Sequence, residues 1–436
     1  MVFARILLIG AALIFSSLPV FARESGELLK VVVLSRHGVR APTQDNAVLS
    51  MWSQKSWPVW PVAKGDLTPR GARLVTAMWD AVRLDLQRRG LLPEGQCPKS
   101  GSVFIRADVD ERTRATASAI AAGLGSDCNI GYACVDKKID PLFHPVKAGL
   151  YRYEAVPAAV DVLSMTHGGL ERLQDDFSGS LEVVGRIIGP PSAKLCARFA
   201  LMPRCELTDL PNAVSVSPDG SEIRIVGSLG IGSSVSEIFL LEWGEWPDVP
   251  AGWGEVDGRV LGQVLPIHSK VFDVINRAPL IAWANGSSLL NEMTAALFDE
   301  HYDKRLNEAR LVIFVGHDTN IANIGGLTGF EWQASGYPPN GIPPAGALFL
   351  ELWRIGGKKI IKARFYAQPP AALHATFDGN GLSHAPGNAE VYSSRTESAV
   401  LMDEKTFRNL VIDMTGGAPV APAEEPAMIY EKATAN

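Results

Sequence analysis

The sequence is short of several things, and each shortage removes a class of protein. It has no basic surplus: 41 Lys and Arg stand against 47 Asp and Glu, a formal net charge of −6 over 436 residues, so no field favours nucleic acid as a partner. It has no apolar run of bilayer length. The longest, Ile6 to Phe15 within MVFARILLIGAALIFSSLPVFA, falls short of the ~20 residues that a spanning helix needs. With Arg5 ahead of it and Val20 and Ala22 after it, residues 1–22 read as a secretory signal cleaved near Ala22. The mature chain is then expected in an exported compartment without membrane contact. Cysteine is scarce and odd in number: Cys97, Cys128, Cys134, Cys196 and Cys205 lie in polar, loop-like sequence without the CxxC or HxxxH spacing of a zinc site. They read as disulfides of an exported protein. Cys196 with Cys205 makes a local clip, and Cys97 can pair with Cys128 or Cys134, which leaves one thiol over. No internal repeat and no carboxylate cluster at metal-ligand spacing is present, so neither a metal nor any other cofactor is expected. The remaining composition, 47% hydrophobic and 20% charged, is that of a globular protein. At this length two lobes are expected, because single cores stop growing near about 250 to 300 residues.

What the sequence does contain is strand followed by helix, repeatedly. Lys30 to Ser35 (KVVVLS) is a β-branched run typical of a buried strand, and it ends in Arg-His-Gly. Thr68-Pro69 opens an amphipathic helix to Arg89, with apolar residues at Leu74, Val75, Met78, Val82 and Leu86. Ser102 to Ala107 is a second strand, after which Asp110 caps a helix through Leu124. Leu311 to Val315 (LVIFV) is a third, running straight into Gly-His-Asp, and two more are expected at Ala347 to Arg354 and Lys359 to Tyr366. From Tyr151 to Leu265 the texture changes to helical stretches, a polar loop with two cysteines, and a hairpin turning at Pro218-Asp219-Gly220. The expected organisation is an α/β domain over 27–150 and 266–415, a mostly helical inserted lobe over 151–265, and a loose tail rich in Ala, Pro and Glu over 416–436.

Each of the three buried strands delivers polar residues directly past its C-terminal end, where open α/β sheets bind ligands. The first yields Arg36, His37, Gly38 and Arg40; the second Asp108 and then Arg112; the third His317, Asp318 and Thr319. A pocket collecting them holds three guanidinium groups, two imidazoles and few carboxylates, which suits a compact dianion. Phosphate fits best, because guanidinium forks donate paired hydrogen bonds to its oxygens. Helix N-termini after Asp110 and Asp318 add backbone donors, and Gly38 allows close approach of the main chain. Surrounding cations disfavour a charged imidazole, so His37 should stay neutral and nucleophilic in mild acid. Asp318 is placed to protonate the leaving alkoxide, with a pKa raised by the facing phosphate. Taken singly, Arg-His-Gly is a surface turn, Arg112 a solvated helix start, and His317-Asp318 a cap or a metal pair. Their joint placement after three strands favours chemistry. His144, His167, His301, His374 and His384 read as surface or packing residues, with His268 a partial exception.

Arg36-His37-Gly38-Val39-Arg40-Ala41-Pro42 resembles the RHGxRxP signature of the histidine acid phosphatases, and Gly316-His317-Asp318-Thr319-Asn320 resembles their distal HD motif. Asp108 to Arg114 (DVDERTR) resembles the family's third phosphate-binding segment, and the likeness extends from roughly Leu29 to Arg354. The resemblance implies an α/β fold with a central mixed sheet flanked by helices and an inserted, mostly helical lobe. It implies hydrolysis of phosphate monoesters in acid through a phosphohistidine on His37, with Arg36, Arg40, Arg112 and His317 as the phosphate clamp and Asp318 as proton donor. The likeness is greatest to bacterial periplasmic phytases, through RHGVRAPT, LTPRG at Leu67 to Gly71, and SEIFLL at Ser236 to Leu241. In those enzymes the segments around Thr43, Glu237, His268 and Phe272 line the substrate pocket, and Asp108 and Thr319 join these as second-rank candidates. The implied protein is a monomeric periplasmic phosphatase acting on small inositol phosphates or sugar phosphates. Two departures stand out. Gln44 follows Ala-Pro-Thr where bacterial phytases often carry lysine, which removes a cation for the outer phosphates, and the C-terminal cysteines common in that group are absent, which leaves Cys134 as the surplus thiol. Relatives that hydrolyse glucose 1-phosphate share the catalytic motifs and provide the alternative. A phosphate-binding module without turnover, or a cytosolic phosphomutase relative, fits less well: nucleophile and acid are both present, and the leader opposes the second.

Overall fold

The computed structural model describes residues 26–201, 204–249, 251–377, 387–395 and 398–430. The expected leader with its cleavage point, and His384, lie outside the described residues. Along the chain the strands are β1 (Gly26–Arg36), β2 (Val103–Ala107), β3 (Tyr132–Cys134), β4 (Ala213–Val216), β5 (Ile223–Val226), β6 (Leu311–Gly316), β7 (Phe330–Glu331), β8 (Ala347–Ile355), β9 (Lys358–Ala367), β10 (Gly387–Glu390), β11 (Tyr392–Ser393), β12 (Ser398–Ala399), β13 (Leu401–Asp403) and β14 (Ala427–Ile429). Nine of them form one mixed sheet in the order β10-β9-β8-β1-β6-β2-β3-β14, with β13 also paired to β9. Its centre is parallel: Val31 to Arg36 pair with Leu311 to Gly316, and Val103 to Ala107 with Leu311 to Val315. β8 adds to β1 antiparallel, and β9 to β8. The β4-β5 pair is the hairpin expected around Pro218-Asp219-Gly220.

The unbroken apolar runs follow from cover on both faces, which removes the polar alternation of a half-exposed strand. Val31 and Val33 join one core with Ile313, Val315, Trp79 and Ile120. Val32 and Leu34 turn to the other, with Val312 and Phe314. The first core is sealed by the helices Pro69–Arg88 and Glu111–Gly125. Thr68 caps the former by accepting from the Gly71 amide at 2.8 Å. Its buried positions include Leu74, Val75, Met78, Val82 and Leu86, the stripe expected from spacing.

The second core runs without interruption into the helical segment that contains Ala155–Ser164, Gly169–Asp176, Ser178–Ile188, Ala193–Arg198, Ser228–Glu245 and Gly258–Asn276. Leu181, Val184, Phe239 and Val264 belong to the same cluster as Val32 and Leu34, so the helical part shares its core with the sheet instead of burying one of its own. The boundary expected at 265/266 falls inside the helix Gly258–Asn276, where Val264, Leu265 and Ile267 are buried together.

Two disulfides join Cys97 to Cys128 and Cys196 to Cys205, and Cys134 is a buried free thiol. The pairing left open for Cys97 is therefore with Cys128. The tail expected to be loose from Gly416 is fastened in part: β14 pairs antiparallel with β3, Met428 opposite Ala133, and the Tyr302 hydroxyl donates to the Glu424 carbonyl at 2.8 Å. A three-residue strand is too short to show a period in the sequence. Among the described residues no helix is long and apolar enough to cross a membrane.

Candidate active site

The three strand ends meet because β1, β6 and β2 are neighbours in register. Just past those ends the ladder continues: the His37 amide donates to the Gly316 carbonyl at 3.1 Å, and the Asp108 amide to the Val315 carbonyl at 3.0 Å. Gly38 contributes differently from the expectation. A Cβ there would lie 2.7 Å from Val75 Cγ2 and 3.1 Å from the Gly71 carbonyl, so the missing side chain lets the nucleophile loop pack on the helix Pro69–Arg88. The Gly38 amide also donates to Thr116 Oγ1 at 3.1 Å.

His37 is 2% exposed. Its Nδ1 lies 2.9 Å from the Gly38 carbonyl, and since a carbonyl only accepts, Nδ1 carries the proton and Nε2 keeps its lone pair. Burial first, then Arg36, Arg40, Arg112 and His317, hold its pKa well below the usual value of 6.5. The Arg36 side chain is fully buried; it donates to the Ile342 carbonyl, pairs with Glu237, and reaches Asp318 Oδ2 at 3.0 Å. Arg40 donates to the Ala41 carbonyl at 3.0 Å, and burial lowers its guanidinium to about 10. Arg112 Nη2 lies 3.3 Å from His317 Nδ1 and 2.5 Å from Asp110 Oδ2. The Nε atoms of Arg36, Arg40 and Arg112 are buried without a hydrogen-bond partner among the described residues. Buried donors are normally satisfied, and an oxyanion between the three would satisfy them.

Because a guanidinium only donates, His317 Nδ1 accepts from Arg112 and its Nε2–H is directed at Asp108 Oδ2, 2.7 Å away. Burial, helped by His144 and Arg112 and opposed by Asp108, lowers His317 to about 4. The rings of His37 and His317 are 5.6 Å apart between centroids. Asp108 has no exposure and also accepts from His144 Nε2 at 2.9 Å and from the Val109 amide at 2.8 Å. Burial acts to raise its pKa, but the hydrogen bonds from His144 and His317 outweigh that and hold it below the ordinary carboxylate range. The raised pKa expected of Asp318 belongs to the phosphate-bound site, and the free enzyme shows the starting point. Burial pushes the carboxyl up, yet Arg36, Arg40, His317 and His268 outweigh burial and leave its pKa lowered. Asp110 occupies the backbone cap position of its helix without a side-chain cap bond, because its carboxylate turns to Arg112 instead.

A cavity of about 1030 Å³ opens over this cluster, lined among others by Arg40, Thr43, Glu237, His268, Asp318 and Thr319. Gln44 and Phe272 also line it, so the second-rank candidates share one wall, except Asp108, which sits behind it. His268 Nε2 is 3.3 Å from Glu237 Oε2, linking the wall to Arg36. Two features were missed. His144, expected to be a surface or packing residue, lines the cavity with its ring 4.8 Å from that of His317. The one available hint was Asp108, a carboxylate at a buried strand end that needs donors. Lys147, Arg198 and Arg224 also line the cavity, and nothing in their local sequence marks them. His374, by contrast, packs as expected, stacked 3.6 Å from Trp243.

Residues 27–170 and 250–365 match the histidine phosphatase superfamily, branch 2. With that match and this site, the chain belongs to the histidine phosphatase superfamily. It is an enzyme that hydrolyses phosphate monoesters. It is 36% identical over 345 residues to Phytase AppA of Escherichia coli K12, covering 77% of this chain and 79% of the relative. It is 27% identical to the Glucose-1-phosphatase of Salmonella typhimurium, over 84% of this chain and 87% of the relative. The Hafnia alvei phytase solved in complex with myo-inositol hexakis sulphate superposes with a TM-score of 0.80 at 31% identity, covering 90% of this chain and 98% of that one.

Proposed function

We propose that the enzyme is an exported phytase that moves a phosphoryl group from an inositol polyphosphate to His37 and then to water. The observation that carries this reading is the free Nε2 of a neutral His37 set among Arg36, Arg40 and Arg112, with Asp318 beside them. Nε2 attacks phosphorus, the bond to the ester oxygen breaks, and Asp318 gives its proton to the leaving alkoxide. Water then attacks the phosphohistidine and its proton returns to Asp318, which releases inorganic phosphate. The arginines neutralise the charge on the transferring group, and neutral His317, accepting from Arg112, holds that guanidinium in place. Asp318 is held ionised by its cationic neighbours, so an arriving dianion, by engaging those cations, raises its affinity for a proton.

The substrate assignment rests on the cavity rim. Although Gln44 supplies no charge, Lys147 and Arg198 line the cavity without an ion-pair partner among the described residues, and Arg224 has Glu222 no nearer than 4.0 Å. Of the wall carboxylates, Asp45 is taken by Lys64 at 2.6 Å and Glu237 and Asp318 by Arg36, while Glu222 stands 4.0 Å from Arg224. Spare cations several residues away from the reacting phosphate suit a ligand with several phosphates. The greater identity to a phytase than to the glucose-1-phosphatase points the same way. The two disulfides and the leader support export to the periplasm. Gln44 favours the second reading, a sugar phosphatase.

The test is kcat/KM on inositol hexakisphosphate, glucose 1-phosphate and p-nitrophenyl phosphate in mild acid, with rapid acid-free quenching of labelled substrate. Inositol hexakisphosphate is expected to rank first, with label trapped on histidine in the wild type and absent in His37→Ala. A preference for glucose 1-phosphate would overturn the substrate, and a wild type without labelled histidine would overturn the nucleophile.

A further inference from the structure

Asp108, Asp110, His144 and His317 each bring one ligating atom to a common point, all four within 4.8 Å of one another. The proposed transfer uses only His317 among them, and that through Arg112. His317 Nε2 and His144 Nε2 converge on a single oxygen, Asp108 Oδ2, at 2.7 and 2.9 Å, and Asp110 Oδ2 lies 3.7 Å from His317 Nε2. Two imidazoles with two carboxylates match a borderline transition ion, whereas calcium and magnesium take oxygen ligands. Ligands at about 2.0 to 2.2 Å from zinc stand roughly 3 to 3.5 Å from each other, so a small outward shift of the two rings makes room. We propose that this cluster is an inhibitory binding site for a divalent transition cation, with Zn²⁺ the best fit.

The proton balance gives the site its effect. In the free enzyme each Nε2 carries a hydrogen aimed at Asp108; an ion needs both Nε2 lone pairs, so each of those protons must leave or move to the ring's Nδ1. For His144 this is easy, because its Nδ1 has no hydrogen-bond partner among the described residues and the ring is partly exposed. For His317 it is not. A proton on Nδ1 would set donor against donor with Arg112 Nη2 at 3.3 Å, and the ion would also take Asp110 from Arg112. Arg112 is therefore displaced, and one arm of the phosphate clamp is lost. An ester gripped by Arg112 opposes the same movement, so ion and ester exclude each other. This coupling rests on the proposed phosphate clamp; the ion site itself does not.

The experiment has two arms on the full-length enzyme. Co²⁺, a spectroscopic stand-in, is titrated into the wild type, His144→Asn and His144→Gln, with folding checked by circular dichroism. One equivalent giving a visible absorption band, abolished by Zn²⁺ and missing in both folded variants, is the expected result. In the second arm Zn²⁺ is added to turnover of p-nitrophenyl phosphate, which sequesters metal far less than a polyphosphate. Zn²⁺ is expected to raise KM at nearly constant kcat, to be reversed by a chelator, and to need at least about tenfold more metal for half-inhibition in the variants. A Co²⁺ band or a Zn²⁺ sensitivity unchanged by both substitutions would overturn the site. Inhibition that lowers kcat without touching KM would overturn the link through Arg112. The Co²⁺ arm needs no turnover, so failure of the phosphatase reading would be told apart from failure of the ion site.

Discussion

At the scale of single residues, Asp318 has to give up a proton in a place where Arg36, 3.0 Å away, favours its ionised form. The charge of the substrate must change that balance, so the acid limb and the alkaline limb of the reaction belong to different states of the enzyme. kcat/KM reports the free enzyme and kcat the complex. Replacing Asp318 by Asn is expected to lower kcat on alkyl phosphates by about 10²- to 10⁴-fold, and by much less on p-nitrophenyl phosphate, whose leaving group departs without a proton. The same change should remove the fall of kcat toward alkaline pH, and a limb that persisted would assign it to another group. His37, held well below 6.5, stays unprotonated and active in mild acid. Residues at this scale were legible where a strand end announced them, as with His37, Asp108 and His317. His144 was not, because it reaches Asp108 from a loop 36 positions along the chain that carries no period. Arg198 and Arg224 face the cavity for reasons of tertiary packing alone, and Asp110 holds the cap position read for it while its carboxylate goes to Arg112, two residues on.

Among the elements, the helix Pro69–Arg88 controls the nucleophile loop through contact between backbones. A Cβ on Gly71 would stand 2.1 Å from the Val39 carbonyl, and that contact can be relieved only by moving helix or loop. Gly71→Ala is expected to cost about 1 to 3 kcal/mol, in the range of overpacked cores, and to depress kcat along with the melting temperature. A variant that lost stability at unchanged kcat would show that the loop keeps its shape without the helix. The central strands were readable because doubly covered strands are continuous apolar runs, and the helix stripe because it repeats at helical spacing. β7, β11 and β12 have two residues each, too few for any pattern, and their pairing is decided by the chain folding around them.

For the molecule as a whole, buried groups of opposite sign set how stability depends on pH. Burial raises Glu242 to about 7 and Asp273 to about 6, above their usual values of 4.5 and 3.8. Between the usual and the raised value the native state keeps a proton that the unfolded chain releases, so this contribution is complete below the usual values and is lost as pH rises through the raised ones. Glu242 accounts for on the order of 3 kcal/mol of that loss. His37 and His317, held below 6.5 by burial first, act oppositely in mild acid, where the unfolded chain takes up protons that the native imidazoles do not, and Asp108, with its lowered pKa, does so in stronger acid. Glu242→Gln should therefore shift the difference between thermal melts in mild acid and at neutral pH toward neutral pH; an unchanged difference would exclude Glu242. The expectation of two lobes came from length, and the common core that joins Val32 to Leu181 could not be seen in either segment alone. β14, finally, covers the backbone edge of β3 and is itself the last strand of the sheet on that side. A protease nick upstream of residue 427, or a fusion partner that pulls this strand away, would bare a sheet edge ready to pair with another molecule. Clipped enzyme should then self-associate more readily than the intact chain, which size-exclusion chromatography would report.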